Sequence, residues 1–130
     1  MAYYLDTSAL VKLVVFEAET DALRAWLAAG DRAPVSCDLA RTELLRAARR
    51  HASEHLLRAR EVLDSITLTE VTTSVFEAAA RLDPGVLRSL DAIHLAAALD
   101  LGDDLDGIVT YDDRLALAAR TNGVAVLAPE

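Results

Sequence analysis

"YYLDTSAL" (residues 3–10) runs a short apolar stretch straight into an aspartate followed by two hydroxyl side chains. Residues 2–6 have the character of a strand, whereas the apolar residues from Ser8 to Phe16 recur at helical spacing. A strand thus hands over to a helix at Asp6. The tail repeats the arrangement: "GIVTY" (107–111) is a strand, Asp112 or Asp113 caps a helix to about Arg120, "NG" (122–123) turns the chain and "VAVLA" (124–128) is a last strand. Between them lie helices over Thr20–Ala29, from a cap at Asp38 to about Ala52, and from a cap at Ser53 to about Ser65. Two further helices cover Ser74–Leu82 and Leu87–Leu101, parted by the turn "DPG" (83–85), and "PVSC" (34–37) and "TLTEV" (67–71) are the remaining strands. Strands that alternate with helices, with short continuous apolar runs, predict an α/β fold whose parallel sheet is covered on both faces.

A chain of 130 residues forms one domain, residues 1–130, with a core large enough to need no disulfide or structural metal. Cys37 has no second cysteine to pair with, and no leader or run of ~18 apolar residues is present, so the expectation is a cytoplasmic protein outside the membrane. The formal charge of -8 argues against unspecific attraction to nucleic acid. Its distribution is uneven. Arg41, Arg46, Arg49, Arg50, Arg58 and Arg60, with His51 and His55, face only Glu43 and Glu54 in the same stretch. A solvated helix face is the commoner meaning of such a run; a phosphate-binding strip is the other, with Arg46, Arg49 and Arg50 as its contacts.

In an open parallel sheet, ligands bind beyond the carboxyl ends of the strands. Asp6 and Asp112 fall at such ends, though helix capping alone would account for either. Asp91 and Glu43 are harder to dismiss. Asp91 shares a helical stripe with Leu87, Leu95 and Ala98, and Glu43 lies between Leu39 and Ala47 on the same spacing. A buried carboxylate without a partner costs several kcal/mol, and Lys12 is the only lysine in the chain. If the four acids meet, each pair about 4 Å apart repels by roughly 4 kcal/mol at an effective dielectric of 20. A divalent cation resolves this. Oxygen donors without thiolates, and with few histidines, favour Mg²⁺ or Mn²⁺, and such a site suits phosphodiester hydrolysis by an activated water.

"LDTSALVKL", "RTELLRA", "SLDAIHLAAA" and "TYDDRLALAA", in that order and spread over almost the whole chain, resemble the four motifs of the PIN-domain nucleases. Within that family the likeness is to the VapC-type ribonuclease toxins. The resemblance implies a five-stranded parallel sheet and metal-site roles for Asp6, Glu43, Asp91 and Asp112. It also implies supporting hydroxyls at Thr110 and at Ser8 or Thr7, with Asp113 as a cap or auxiliary ligand. Mg²⁺-dependent endonucleolytic cleavage of RNA, a homodimer and inhibition by a small antitoxin protein follow from it as expectations.

Other signals are weaker. "HASEH" (51–55) matches a zinc-peptidase pattern that needs one unbroken helix, whereas Ser53 marks a helix start. His94 fits a core histidine bonded to a neighbour, and Gly102 and Gly107 lack the lysine of a phosphate loop. A receiver domain or an aspartate phosphatase would want a late lysine, and the phosphatase a second acid where Ser8 stands. A silent protein-binding module, its acids serving only as caps, is the remaining alternative.

Overall fold

Tyr4 and Leu5 are adjacent, fully buried, and belong to two different cores, because successive side chains of a strand point to opposite faces. Ile108 and Val109 repeat the division in the neighbouring strand. In the computed structural model, which describes residues 2–130, the strands are β1 (Ala2–Leu5), β2 (Ala33–Cys37), β3 (Thr67–Thr69), β4 (Leu105–Val109) and β5 (Val126–Leu127). The helices are α1 (Thr7–Lys12), α2 (Thr20–Ala28), α3 (Leu39–His51), α4 (Leu56–Ser65), α5 (Thr73–Ala80), α6 (Ser89–Leu99) and α7 (Asp113–Thr121). All strand pairs are parallel, in the order β3-β2-β1-β4-β5. The expected five-stranded parallel sheet is therefore present.

Leu10, Leu23, Leu44 and Leu63 pack α1 to α4 against one face, while Val75, Leu95 and Leu115 pack α5 to α7 against the other. That division follows from chain direction. From β1 to β3 the strands are laid down towards one edge; the chain then returns to place β4 on the far side of β1. Right-handed crossovers put the helices of the return on the opposite face. The reversal makes the β1/β4 junction the switch point of the sheet, where a crevice opens beyond the carboxyl ends.

Several element ends differ from the sequence expectation, and each has a physical cause. Helix α1 stops at Lys12 rather than Phe16, because its closing carbonyls are taken from outside: Thr20 Oγ1 donates to Lys12 O at 2.7 Å and Arg58 Nε to Leu13 O at 3.1 Å. Ser53 does not cap a helix. Ala52 is extended, Ser53–His55 form a single 3-10 turn, and α4 begins at Leu56. His51 and His55 therefore lie on separate elements, which removes the zinc pattern. Asp38 precedes α3 without a side-chain cap, its backbone N–H instead reaching Thr69 O at 2.9 Å. Helix α6 begins at Ser89, so Leu87 lies outside it, and Asp91 is half-buried in the first turn rather than within the core stripe.

Gly107 is needed for close approach, not for a phosphate. A Cβ there would meet Leu127 Cδ1 at 2.6 Å and the Ala125 carbonyl oxygen at 3.1 Å. Gly107→Ala should push β5 away and lower stability by about 1–3 kcal/mol. Chemical denaturation checks this; an unchanged midpoint would contradict the packing.

Candidate active site

The β1/β4 register pairs Leu5 with Val109. One residue further on, the same register sets Asp6 beside Thr110, and the Asp6 N–H reaches Val109 O at 3.3 Å. Thr110 Oγ1 donates to Asp6 Oδ2 at 2.7 Å and accepts the Asp112 N–H at 3.1 Å. Ser8 Oγ donates to Asp6 Oδ1 at 2.6 Å and accepts the Tyr111 N–H at 3.0 Å. Two hydroxyls thus tie the two strand ends together.

Both strand-end aspartates also cap helices. Asp6 Oδ1 accepts the Ala9 N–H at 3.1 Å, and Asp112 Oδ1 accepts from Arg114 and Leu115 at 2.9 and 3.1 Å. Capping and site membership are compatible because a carboxylate offers about four acceptor positions over two oxygens. In Asp112 both contacts fall on Oδ1. In Asp6 they leave one position on Oδ2. Asp6 is 4% exposed, and burial raises its pKa above the ordinary aspartate value although Ser8, Thr110 and the nearby His94 pull it down.

Glu43 reaches the same edge from α3 and is held on one oxygen. Thr7 Oγ1 and His94 Nε2 donate to its Oε1 at 2.7 and 2.6 Å. Burial alone would raise the Glu43 pKa; the bonds from His94 and Thr7 reverse that and hold it below the usual value. Burial alone would lower His94, but its contacts with Cys37 and Glu43 dominate and push it up to about 10. His94 is the buried, bonded histidine expected from the sequence, and its neighbour is an acid of the site.

Asp91 enters from the first turn of α6. Burial raises its pKa first and repulsion from Asp112 next; His94 pulls it down, and Glu43 and Arg88 add smaller effects, upward and downward in turn. Of the four acids, Asp112 and Glu43 are therefore close enough for Asp91 to sense. The four are not drawn into one coordination sphere: among the described residues, no three His, Cys, Asp or Glu side chains are gathered as a metal would hold them. Neither Lys nor Arg closes an ion pair with any of the four among the described residues. Lys12 is occupied elsewhere, at 2.7 Å from Glu19 and over the Tyr111 ring.

The PIN-domain family profile matches residues 3–121. Ribonuclease VapC46 of Mycobacterium tuberculosis (strain ATCC 25618 / H37Rv) is 48% identical over 129 residues, covering 98% of each chain. The chain belongs to the PIN-domain family and is of the VapC type. Among solved structures, M. tuberculosis VapC20, described as a sarcin-ricin loop cleaving toxin, superposes with a TM-score of 0.76 at 17% identity, covering 98% of this chain and 99% of that one. A toxin-antitoxin complex from Klebsiella pneumoniae superposes with a TM-score of 0.72 at 21% identity, covering 98% of each. At such identities the likeness speaks for the shared PIN fold.

Around this PIN-domain edge the structure adds residues that the sequence does not single out. A cleft of about 370 Å³ is lined by Asp91, Asp112 and Asp113 together with Arg88 and Arg114. Both arginines stand at helix starts within three residues of an acid, and that proximity is the one signal the sequence offers. Arg46, Arg49 and Arg50, which the sequence does single out, line one open cavity of about 270 Å³ on the exposed side of α3. Asp113 is exposed beside Asp112 and caps nothing, since Asp112 takes that role.

Because Asp6 binds its proton more tightly when folded, the native chain holds more protons than the unfolded one between the ordinary and the raised pKa. The resulting penalty is absent below that window and complete above it. Asp6→Asn, which keeps an equally good cap, should leave the metal-free Tm unchanged near about pH 3. At neutral pH it should raise Tm, because the penalty of holding that carboxylate ionised is gone. Thermal melts in EDTA across pH test this, and a Tm gain of equal size at both ends would contradict it.

Proposed function

We propose that the chain is a Mg²⁺-dependent endoribonuclease, the toxin of a toxin-antitoxin pair, with Asp6, Glu43, Asp91 and Asp112 as the acids that hold the cation. One observation carries the reading: Asp91, Asp112 and Asp113 line one cleft at the carboxyl edge, and no lysine or arginine closes an ion pair with them among the described residues. Such an arrangement favours a divalent ion. The donors are all carboxylate oxygens, which suits Mg²⁺, or Mn²⁺ in its place.

Asp112 Oδ2, Glu43 Oε2 and the remaining position on Asp6 Oδ2 are the acceptors that folding has not used. Thr7, Ser8 and Thr110 hold those carboxylates in place, and Asp113 adds negative charge to the same cleft. When bound, Mg²⁺ supplies charge neutralisation at the phosphate and an acidified water for hydrolysis. Arg88 and Arg114 flank the acids, placed to orient a phosphodiester. Arg46, Arg49 and Arg50, continuing along the helix that carries Glu43, give the rest of an RNA strand somewhere to lie. These local cations offset a chain whose formal charge is -8.

The VapC46 relative is a ribonuclease by name, and structural neighbours include a toxin-antitoxin complex. A small cognate antitoxin is accordingly the proposed partner, with a homodimer as the working assembly and the cytoplasm as its location. No helix among the described residues is long and apolar enough to cross a membrane.

Purified protein incubated with structured RNAs should cut them in Mg²⁺ and not in EDTA. Asp91→Asn should slow cutting by about a hundredfold or more while the fold persists. Cleavage that continues unchanged in EDTA would overturn the reading. Replacing Arg49 and Arg50 together with alanine should weaken RNA binding for all sequences alike. Its salt dependence should become shallower by a slope of about 0.7 for each phosphate no longer neutralised; an unchanged slope in filter-binding titrations would remove these arginines from the interface.

A further inference from the structure

Among the four acids, Glu43 has the longest side chain, and it reaches the site from a helix on the sheet face opposite to that of α6. A free glutamate spreads over many rotamers, and fixing one costs side-chain entropy. Here it is fixed. His94 Nε2 lies 2.6 Å from Oε1, and Thr7 Oγ1 adds a second donor to the same oxygen at 2.7 Å. His94 is itself immobile: it is 2% exposed, its Nδ1 is 2.7 Å from the Tyr4 hydroxyl, and the two rings pack edge to face with centroids 5.8 Å apart.

The direction of the Nε2 bond does not depend on the charge of the ring. In a neutral imidazole the Tyr4 hydroxyl donates to Nδ1 and leaves the proton on Nε2; in a protonated one both nitrogens carry a proton. Either way Nε2–H faces the carboxylate. Tyr4 is rooted in the central strand with no exposed surface, so the chain of contacts runs from the middle of the sheet through His94 to the edge. Both donors occupy Oε1, and Oε2 is the oxygen left to meet a ligand.

We propose that His94 is a positioning residue, anchored by Tyr4, that locks Glu43 so that Oε2 faces the cation. The proposal rests on the reading of Glu43 as a metal-holding acid of an RNA-cleaving site. Donors behind metal-binding carboxylates typically change metal affinity by about 10–100-fold when removed.

Two near-isosteric substitutions separate positioning from packing. The Gln amide nitrogen reproduces the position of His Nε2, so His94→Gln keeps a donor for Glu43 but not the bond to Tyr4. The Asn amide reproduces Nδ1, so His94→Asn keeps the bond to Tyr4 but not the one to Glu43. With the full-length chain and no RNA, Mn²⁺ titrations followed by electron paramagnetic resonance should give His94→Gln an affinity close to that of the wild type. His94→Asn should bind about tenfold or more weakly. In Mg²⁺-limited cleavage, His94→Asn should lose kcat with little change in KM for RNA. Tyr4→Phe, which keeps the ring volume, should show a smaller loss in the same direction and serves if a His94 variant fails to melt cooperatively. Equal Mn²⁺ affinities for the Gln and Asn variants, or wild-type affinity in both Asn and Phe variants, would overturn the assignment of His94 alone. A wild-type chain that binds no Mn²⁺ and cuts RNA in EDTA would instead overturn the metal reading, and this assignment with it.

Discussion

The register between the two central strands is the constraint on which the rest depends. Pairing Leu5 with Val109 leaves Asp6 next to Thr110, and that threonine joins two acids from opposite ends of the chain, Asp6 and Asp112, through a single hydroxyl. A slip of one residue would turn every side chain of β1 to the wrong face, sending Tyr4 and Leu5 each into the other's core. The apolar packing on both faces therefore fixes the position of the carboxylates. Asp6 and Asp112, set at the ends of those strands, need no separate mechanism of alignment.

Around that junction the acids are supported unequally. Asp6 is almost enclosed and receives three donors, whereas Asp91 stands half-exposed among like charges. Enclosure without a counter-ion raises the proton affinity of Asp6, and repulsion contributes to the same effect in Asp91. Glu43 departs from this pattern because a histidine already balances it. The edge thus carries repelling carboxylates on one side and a compensated one on the other.

Much of this was legible from the residues. An apolar run ending in an acid marks β1 and β4 because both strands are buried on two faces and have no polar alternation to obscure them. What escaped depended on contacts distant in sequence. The early end of α1 is set by Thr20 and Arg58, which no local pattern around Lys12 announces. Ser53 has the composition of a cap, yet the extended N-cap position falls one residue earlier, at Ala52, and Ser53 opens a 3-10 turn instead. Glu43 and Asp91 were visible as acids among apolar neighbours, but the pairing of Glu43 with His94 requires helices from opposite sheet faces to converge at one edge. Arg88 and Arg114 carry no periodic signature beyond their closeness to an acid, and the cleft brings them forward.

Asp6 and Asp112 each begin a helix with a carboxylate that stands at the carboxyl edge of the sheet. Asparagine starts a helix as well as aspartate does. Exchanging one oxygen for a nitrogen at either place would therefore yield a molecule with its outline and surfaces intact and its charge deleted. Such charge-deleted look-alikes lie a single nucleotide substitution away for the gene, since Asp and Asn codons differ at one base.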